Sequence, residues 1–195
     1  MSRRNLPYAR VNSRTRPRHE CQPQPYCCSL YDCHSPFCFE YTSVMPQSLA
    51  QVWIHIVFSI KERKPLLRNS DIREEMFRFL AYQVTATGCV SASVGGHVDH
   101  VHMLVGLSRT VTISKLVGVT KSESSRWMKG KLHDGEWAHW QSGYGAFSVS
   151  HSLLDVVDEY IRNQEAHHAT MSFQTEYRQL CQRHGIKIDE RYVWD

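Results

Sequence analysis

The sequence predicts an α+β protein in which an antiparallel sheet of order βαββαβ carries its helices on one face and is followed by a C-terminal helix. Two observations support this prediction. Segments rich in β-branched and aromatic residues alternate with segments whose apolar residues recur every three or four positions. The pattern starts only after residue 45, and a chain of 195 residues has room for one ordinary domain with an appendage.

The first two elements are a strand and a helix. The segment 51–60, QVWIHIVFSI, is dominated by β-branched and aromatic residues, which favour a strand. The segment 71–87 carries apolar residues at positions that share one face of a helix, and Gly88 ends it as glycine commonly does. Together they supply the strand and the crossover helix of a first β-α-β unit.

A hairpin follows this unit. The apolar segments 89–94 and 101–107 predict two strands, and the glycine pair at 95–96 predicts the turn between them. The core order is βαββαβ, in which two right-handed β-α-β crossovers joined by a hairpin give the ferredoxin-like arrangement. The elements after the hairpin are a helix capped by Thr110 or Thr112 and reaching Lys131, a strand at 140–149, a helix from Ser152 to His168 and a last helix at 173–184.

Composition and charge exclude several classes of protein. The net charge is only +4, so an overall basic field is a weak argument for nucleic-acid binding. No apolar run approaches the roughly 18 to 20 residues of a membrane span, and we expect no membrane partner. Five of the seven cysteines lie within the first 44 residues, whereas a disulfide-rich secreted domain distributes them through its fold. We therefore expect a reduced, cytoplasmic protein.

Residues 1–44 differ from the rest of the chain. They are rich in arginine and proline, show neither strand nor helix periodicity and contain no apolar core of a secretory signal. Their cysteines and histidines do not form two clean CxxC-type pairs, which disfavours a zinc knuckle. The alternatives are a disordered arm and upstream sequence translated from an early start codon. We expect the domain to span 45–195, with Met45 as its biological start.

His100 and His102 are a candidate metal-binding pair. Positions i and i+2 of a strand face the same side, so both imidazoles can bind one ion, and burying them without partners is costly. A histidine-triad hydrolase needs a third histidine where this chain has Leu104, and an amidohydrolase barrel needs roughly 250 residues. Asp99 either orients His100 from the second shell of the site or is a polar turn residue.

Tyr160 and Gln164 form a second pair, on a helical segment. Residues at i and i+4 share one helix face, so a phenol and an amide oxygen can reach the same ion. An ordinary amphipathic helix is the alternative, but Gln164 and His168 continue the same stripe with polar groups. A divalent ion bound by His100, His102 and Gln164 can polarise a phosphate that Tyr160 attacks. The phosphotyrosine conserves the bond energy, and no phosphate-binding GxxxxGK[ST] loop is present, so no nucleotide cofactor is expected.

These motifs, with the stretches around them, resemble the single-tyrosine HUH transposases of the insertion-sequence IS200-like family, REP-associated tyrosine transposases included. The resemblance implies a ferredoxin-like domain, an obligate homodimer, Mg²⁺ or Mn²⁺, and cutting and rejoining of single-stranded DNA beside hairpins. It also implies that His100, His102 and Gln164 are metal ligands, that Tyr160 is the nucleophile, and that active sites can be shared between subunits. The matching stretches are 47–64 (QSLAQVWIHIVFSIKERK), 99–105 (DHVHMLV), 140–150 (WQSGYGAFSVS), 160–168 (YIRNQEAHH) and 189–195 (DERYVWD).

Two alternative functions remain open. A domesticated REP-associated tyrosine transposase would perform similar chemistry on host palindromes, whereas terminal palindromes beside the gene would indicate a mobile element. A non-catalytic module could bind single strands by stacking bases on sheet aromatics, but it would have no reason to keep both histidines with Tyr160 and Gln164. In each case we expect no small-molecule substrate, and a bacterial-type cytoplasmic location, at the nucleoid when DNA is bound.

Overall fold

The computed structural model describes residues 49–132 and 139–194. The predictions for the segment 1–44 and for a start at Met45 lie outside the described residues. In the part of the chain that is described, no helix is both long and apolar enough to cross a membrane. The elements are β1 (Trp53–Ser59), α1 (Ser70–Ala86), β2 (Val90–Gly96), β3 (His100–Gly106), α2 (Ile113–Lys129), β4 (Gly145–Val149), α3 (Leu154–Arg162), α4 (Gln164–His168) and α5 (Phe173–Arg183).

The four strands form one antiparallel sheet in the order β2-β3-β1-β4. The central strand β1 pairs with β3 on one side and with β4 on the other, while β3 also pairs with β2. Val57 of β1 lies opposite His102, and Ser59 lies opposite His100. This order, with α1 and α2 as the two crossovers, confirms the predicted ferredoxin-like fold.

One face of the sheet, called the apolar face below, is covered by α1 and α2. Every second residue of the two central strands points to this side and is buried there against both helices. Removing these side chains from water is the main favourable contribution to folding. The two-helix layer is the predicted one. Its strand residues are Ile54, Ile56 and Phe58 of β1 and Val101, Met103 and Val105 of β3.

Side-chain caps define where these two helices begin. The Asn69 side chain accepts hydrogen bonds from two backbone N–H groups in the first turn of α1. Thr112 does the same for the Lys115 N–H in α2, so Thr112 is the cap among the two predicted threonines. Gly88, at a φ of +82°, lies two residues beyond α1, in a conformation that glycine adopts without strain.

The opposite face, called the histidine face after His55, His100 and His102, is covered by α3, α4 and α5. Helix α3 packs on β2 and β3, which places Tyr160 close to the central strands. A small apolar cluster closes the side of this face nearest β4 and holds α5 on the sheet. Its buried members are Val57, Phe147, Phe173, Leu180 and Cys181.

The glycines at 95 and 96 do not form the turn that the sequence predicts. Both belong to β2, and residues 97–99 connect the two strands of the hairpin. A Cβ atom on Gly95 would lie 2.2 Å from the carbonyl oxygen of Ile161 in α3. Glycine is therefore needed at this position because it lets the tyrosine-bearing helix approach the sheet.

The prediction of a single helix from Ser152 to His168 is also wrong. Helix α3 ends at Arg162 and α4 begins at Gln164, with Asn163 between them at φ −94° and ψ 19°. Asparagine is a poor helix former, because its side chain competes for backbone hydrogen bonds. The last predicted strand, 140–149, is shorter as well: regular pairing covers only Gly145–Val149.

Candidate active site

Strand β3 places His100 and His102 side by side on the histidine face, where both side chains are fully buried. Nδ1 of His100 lies 2.7 Å from Oδ1 of Asp99. A carboxylate only accepts, so Nδ1 of His100 donates and its Nε2 is free to act as a ligand. Nδ1 of His102 lies 2.9 Å from Nε2 of His55, a buried residue of β1. Both imidazoles are thus held through Nδ1.

The other predicted pair lies opposite these two histidines. Oε1 of Gln164 is 3.4 Å from Nε2 of His100, and the Gln164 side chain is buried. The rings of Tyr160 and His102 have centroids 5.9 Å apart. The structure therefore brings all four predicted residues together within one chain, although Tyr160 and Gln164 belong to two different helices.

Glu176 of α5 lies at the centre of this group, and only 2% of its surface is exposed. Its Oε1 accepts hydrogen bonds from the Tyr160 hydroxyl and, at 3.1 Å, from Nε2 of Gln164. Its Oε2 lies 3.1 Å from Nε2 of His168 and 3.5 Å from Nε2 of His102. The carboxylate thus contacts the candidate nucleophile with one oxygen and imidazoles with the other.

Burial and neighbouring charge shift the protonation of this cluster. Burial alone would raise the pKa of Glu176, but the neighbouring imidazoles of His102 and His168 outweigh it and hold that pKa far below its usual range. Burial, followed by the charge of Glu176, raises the pKa of Tyr160 well above its ordinary value of 10. Burial lowers the pKa of His102 to about 4 and that of His55 to about 3. Both imidazoles are therefore neutral at pH 7, the form that binds metals.

The donor atoms of this cluster suit a divalent metal ion. Among the described residues, Nε2 of His102 and Oε2 of Glu176 are buried polar atoms without a hydrogen bond. Such atoms are costly unless something binds them. Imidazole nitrogens and carboxylate oxygens are common ligands of divalent ions. Four side chains, His100, His102, His168 and Glu176, offer donor atoms within 4.8 Å of one another.

His55 and Glu176 were not predicted as site residues from the sequence, and His168 was given no role there. His55 lies in the middle of an apolar strand, so the cost of burying an imidazole, which identified the histidine pair, applies to it equally. Glu176 falls on the buried stripe of α5 between Phe173 and Leu180, where a carboxylate needs a partner. A polar residue at a core position was the signal in both cases.

Two other histidines lie close to the site. Nε2 of His167 is 3.6 Å from Oε1 of Glu176. The ring of His97 is partly buried, and its centroid lies 5.2 Å from that of His168. His139 and His151 are exposed.

A cleft of about 400 Å³ opens beside Tyr160. Its apolar wall includes Leu153 and Val156, both at least half exposed, and its polar end is formed by Arg183 and His184 at the C-terminal end of α5. The volume is within the range of small-ligand pockets. Arg183 places a permanent cation in the same cleft as the phenol, and guanidinium groups are well suited to bind phosphate.

Comparison with known proteins gives one family. A family model described as "Transposase IS200 like" matches residues 48–164, which include the histidine pair, Tyr160 and Gln164. No curated protein matches significantly. A crystal structure of a candidate transposase from Deinococcus radiodurans R1 aligns with a TM-score of 0.49 and 22% identity, covering 60% of this chain and 93% of that one. A REP-associated tyrosine transposase bound to a REP hairpin aligns with a TM-score of 0.48 and 13% identity, covering 66% and 76%.

Proposed function

The chain belongs to the IS200-like transposase family, and on this basis we propose that it cleaves and rejoins single-stranded DNA beside hairpins through a 5′-phosphotyrosine on Tyr160. One observation carries the proposal. Nε2 of His100, Oε1 of Gln164 and the hydroxyl of Tyr160, from distant segments, converge in one buried cluster. A protein that only binds nucleic acid gains nothing from burying such groups, and burying them is costly.

We propose that His100, His102 and Gln164 hold a Mg²⁺ or Mn²⁺ ion. The fit is supported by the buried Nε2 of His102, which has no hydrogen-bond partner among the described residues. When bound, the ion polarises the scissile phosphate and neutralises charge on the departing oxygen. Asp99 keeps the proton on Nδ1 of His100, which would leave the lone pair of Nε2 available to the ion.

In the proposed cleavage, the hydroxyl oxygen of Tyr160 forms a bond to phosphorus and the bond from phosphorus to the 3′-oxygen breaks. The hydrogen bond to Oε1 of Glu176 orients the phenol hydroxyl. Its proton passes to water, and the departing oxygen takes a proton from water. The 5′ end remains attached to Tyr160. A later attack by another 3′-hydroxyl reverses these bond changes and rejoins the strand without ATP.

The cleft beside Tyr160 supports single-stranded DNA as the substrate. Arg183 can neutralise a backbone phosphate close to the nucleophile. Leu153 and Val156 offer an apolar surface to a base that is not paired within a duplex. The cleft thus offers a positive charge for the phosphate and an apolar surface for the base, the two features that binding of a single strand requires.

The test is covalent capture of DNA. The full chain, incubated with Mn²⁺ and single-stranded DNA carrying a hairpin, is expected to form an adduct that survives a denaturing gel. Tyr160→Phe removes only the hydroxyl, so the fold and DNA binding should remain while the adduct disappears. Prior addition of EDTA should abolish the adduct of the wild type.

Tyr144→Phe is the matched control, because it makes the same change at a partly exposed tyrosine outside the cluster. This variant should form the adduct at the wild-type rate. An adduct on Tyr160→Phe would reject Tyr160 as the nucleophile. If the wild type formed no adduct with any hairpin tested, the proposed enzymatic activity would be rejected in favour of a module that only binds nucleic acid.

We also propose that the protein acts as a homodimer and that residues 45–195 are sufficient for activity. The family match begins at residue 48, which supports the second statement. Within one chain Tyr160 already faces its own His102, which supports active sites built within a subunit. Mixing Tyr160→Phe with His102→Ala should then yield no adduct, whereas restored activity would demonstrate sites shared between subunits. A single species of 22.7 kDa in sedimentation would contradict the dimer.

A further inference from the structure

We propose that Glu176 is a bridging residue: its Oε2, together with His168, binds the metal ion, while its Oε1 holds the Tyr160 hydroxyl. The inference deepens the proposed function and depends on it for the reaction, but the metal-binding part stands on geometry alone. Neither Glu176 nor His168 belongs to the ligand set expected from the histidine pair and Gln164.

The hydrogen bonds at Nδ1 decide which nitrogen of each imidazole can bind a metal. Nδ1 of His168 lies 2.7 Å from the carbonyl oxygen of Met171, and Nδ1 of His100 lies 2.7 Å from Asp99. Both partners can only accept, so each Nδ1 carries a proton. In a neutral imidazole this leaves Nε2 with a lone pair. His168 is thus prepared as a ligand in the same way as His100.

These Nε2 atoms face a carboxylate oxygen of Glu176. Oε2 of Glu176 lies 3.1 Å from Nε2 of His168, 3.5 Å from that of His102 and 3.9 Å from that of His100. Lone pairs directed at a carboxylate oxygen repel it unless a cation lies between them. One proton on His168 would form a single ion pair and leave His102 without a partner. A divalent ion satisfies all of these atoms at once.

The spacing of the donor atoms agrees with this assignment. Ligands held at about 2.0–2.2 Å from one ion are separated from each other by roughly 3–4.4 Å. The donor atoms of His100, His102, His168 and Glu176 lie within 4.8 Å of one another, so a movement of well under about 1 Å brings them to bonding distance. All four groups are buried or nearly so, and water therefore competes little for their donor atoms.

The other carboxylate oxygen of Glu176 contacts the candidate nucleophile. Oε1 of Glu176 accepts hydrogen bonds from the Tyr160 hydroxyl and from Nε2 of Gln164. These two donors fix the rotation of the carboxylate and leave Oε2 directed at the imidazoles. The ion and the nucleophile are therefore positioned by one side chain. Removing the carboxylate should disturb both the bound ion and the position of Tyr160, whereas removing the phenol hydroxyl should not weaken binding of the ion.

The test measures Mn²⁺ binding by calorimetry on the full chain without DNA. Glu176→Gln keeps the size of the side chain but not its charge, and we expect at least about tenfold weaker binding. Glu159→Gln, the same change at an exposed residue next to Tyr160, should bind as the wild type does. Tyr160→Phe should stay within about twofold of the wild type. Wild-type affinity in Glu176→Gln would overturn the inference.

A second measurement uses the wild type alone and so does not depend on a variant that folds. Pulsed electron paramagnetic resonance of the bound Mn²⁺ should detect three coordinated imidazole nitrogens, from His100, His102 and His168. Only two would overturn the role of His168. Failure of the wild type to bind Mn²⁺ would reject the metal centre and the proposed function together. Normal Mn²⁺ binding by Glu176→Gln would reject only the role of Glu176 as a bridging residue.

Discussion

The apolar face and the histidine face are built from the same two central strands, yet they differ in nearly every property. Met103 and His102 are neighbours on β3 and both are fully buried, but they point to opposite faces. Met103 is surrounded by apolar side chains from α1 and α2. His102 contacts His55 and Glu176 through specific polar atoms. Successive side chains of a strand point to opposite faces of the sheet, so β3 contributes to the apolar core on one face and to the polar cluster on the other.

The two faces are stabilised in different ways. Burial of apolar surface contributes about 25 cal/mol per Å² without requiring exact partners, so the apolar face tolerates variation in detail. The histidine face instead holds buried polar groups, and each is costly unless its own partner is present. We therefore expect substitutions on the apolar face to change stability, and substitutions on the histidine face to change metal binding and reaction rate.

The largest effect should come from His102→Ala. Loss of this imidazole removes a proposed metal ligand on β3, so the rate of adduct formation should fall by about 10²–10³-fold. Excess Mn²⁺ should restore part of the rate, because the other ligands remain. Adduct formation is measured on gels over time and divided by the folded fraction from circular dichroism.

Met103→Ala is the corresponding substitution on the apolar face, to be compared with His102→Ala. It should lower the free energy of unfolding by about 2–5 kcal/mol, measured by urea denaturation, since it opens a cavity in the core. The adduct rate per folded molecule should not change. A comparable loss of rate in both variants would contradict the separation of the two faces.

Gly95→Ala should have the next largest effect. The added Cβ would lie 2.2 Å from the carbonyl oxygen of Ile161, so α3 must move away from the sheet and take Tyr160 with it. We expect about 1–3 kcal/mol of lost stability and about 10²-fold slower adduct formation per folded molecule.

Gly118→Ala is the control for Gly95→Ala, because a Cβ at that position in α2 meets nothing within 4 Å. Alanine is the better helix former, so this variant should be more stable by about 0.5–1 kcal/mol and equally active. If Gly95→Ala behaved like Gly118→Ala, close packing of α3 would have no part in placing the nucleophile.

The smallest effect should come from Asp99→Ala. It removes the acceptor that holds Nδ1 of His100 but leaves every proposed ligand in place. The affinity for Mn²⁺, measured by calorimetry, should fall by about 10–100-fold. Asp155→Ala, at an exposed position of α3, should leave the affinity unchanged. Equal affinities for Asp99→Ala and the wild type would make Asp99 an ordinary turn residue.

The apolar face could be predicted almost entirely from the sequence, because its strands and helices follow the periods of 2 and 3.6 residues that burial imposes. The two pairs of the histidine face were also visible, since i, i+2 and i, i+4 spacings bring side chains together locally. Glu176 could not be predicted from the sequence, because its contact with Tyr160 depends on how α5 packs across the sheet.

Local conformation on the histidine face was predicted least well. Gly95 was interpreted as part of a turn because sequence alone does not show that Ile161 approaches its backbone. The break at Asn163 was missed because the stripe of polar and apolar residues continues through it. Both features depend on tertiary packing, which overrides local preference.

The central claim is that Tyr160 becomes covalently attached to the 5′ end of the cleaved strand. It is tested most directly by digesting the adduct with trypsin and nuclease and sequencing the nucleotide-bearing peptide by mass spectrometry. We predict a phosphoryl group on Tyr160, with no modification of Tyr144 in the same digest. A phosphoryl group on Tyr144, or on any residue other than Tyr160, would contradict the account.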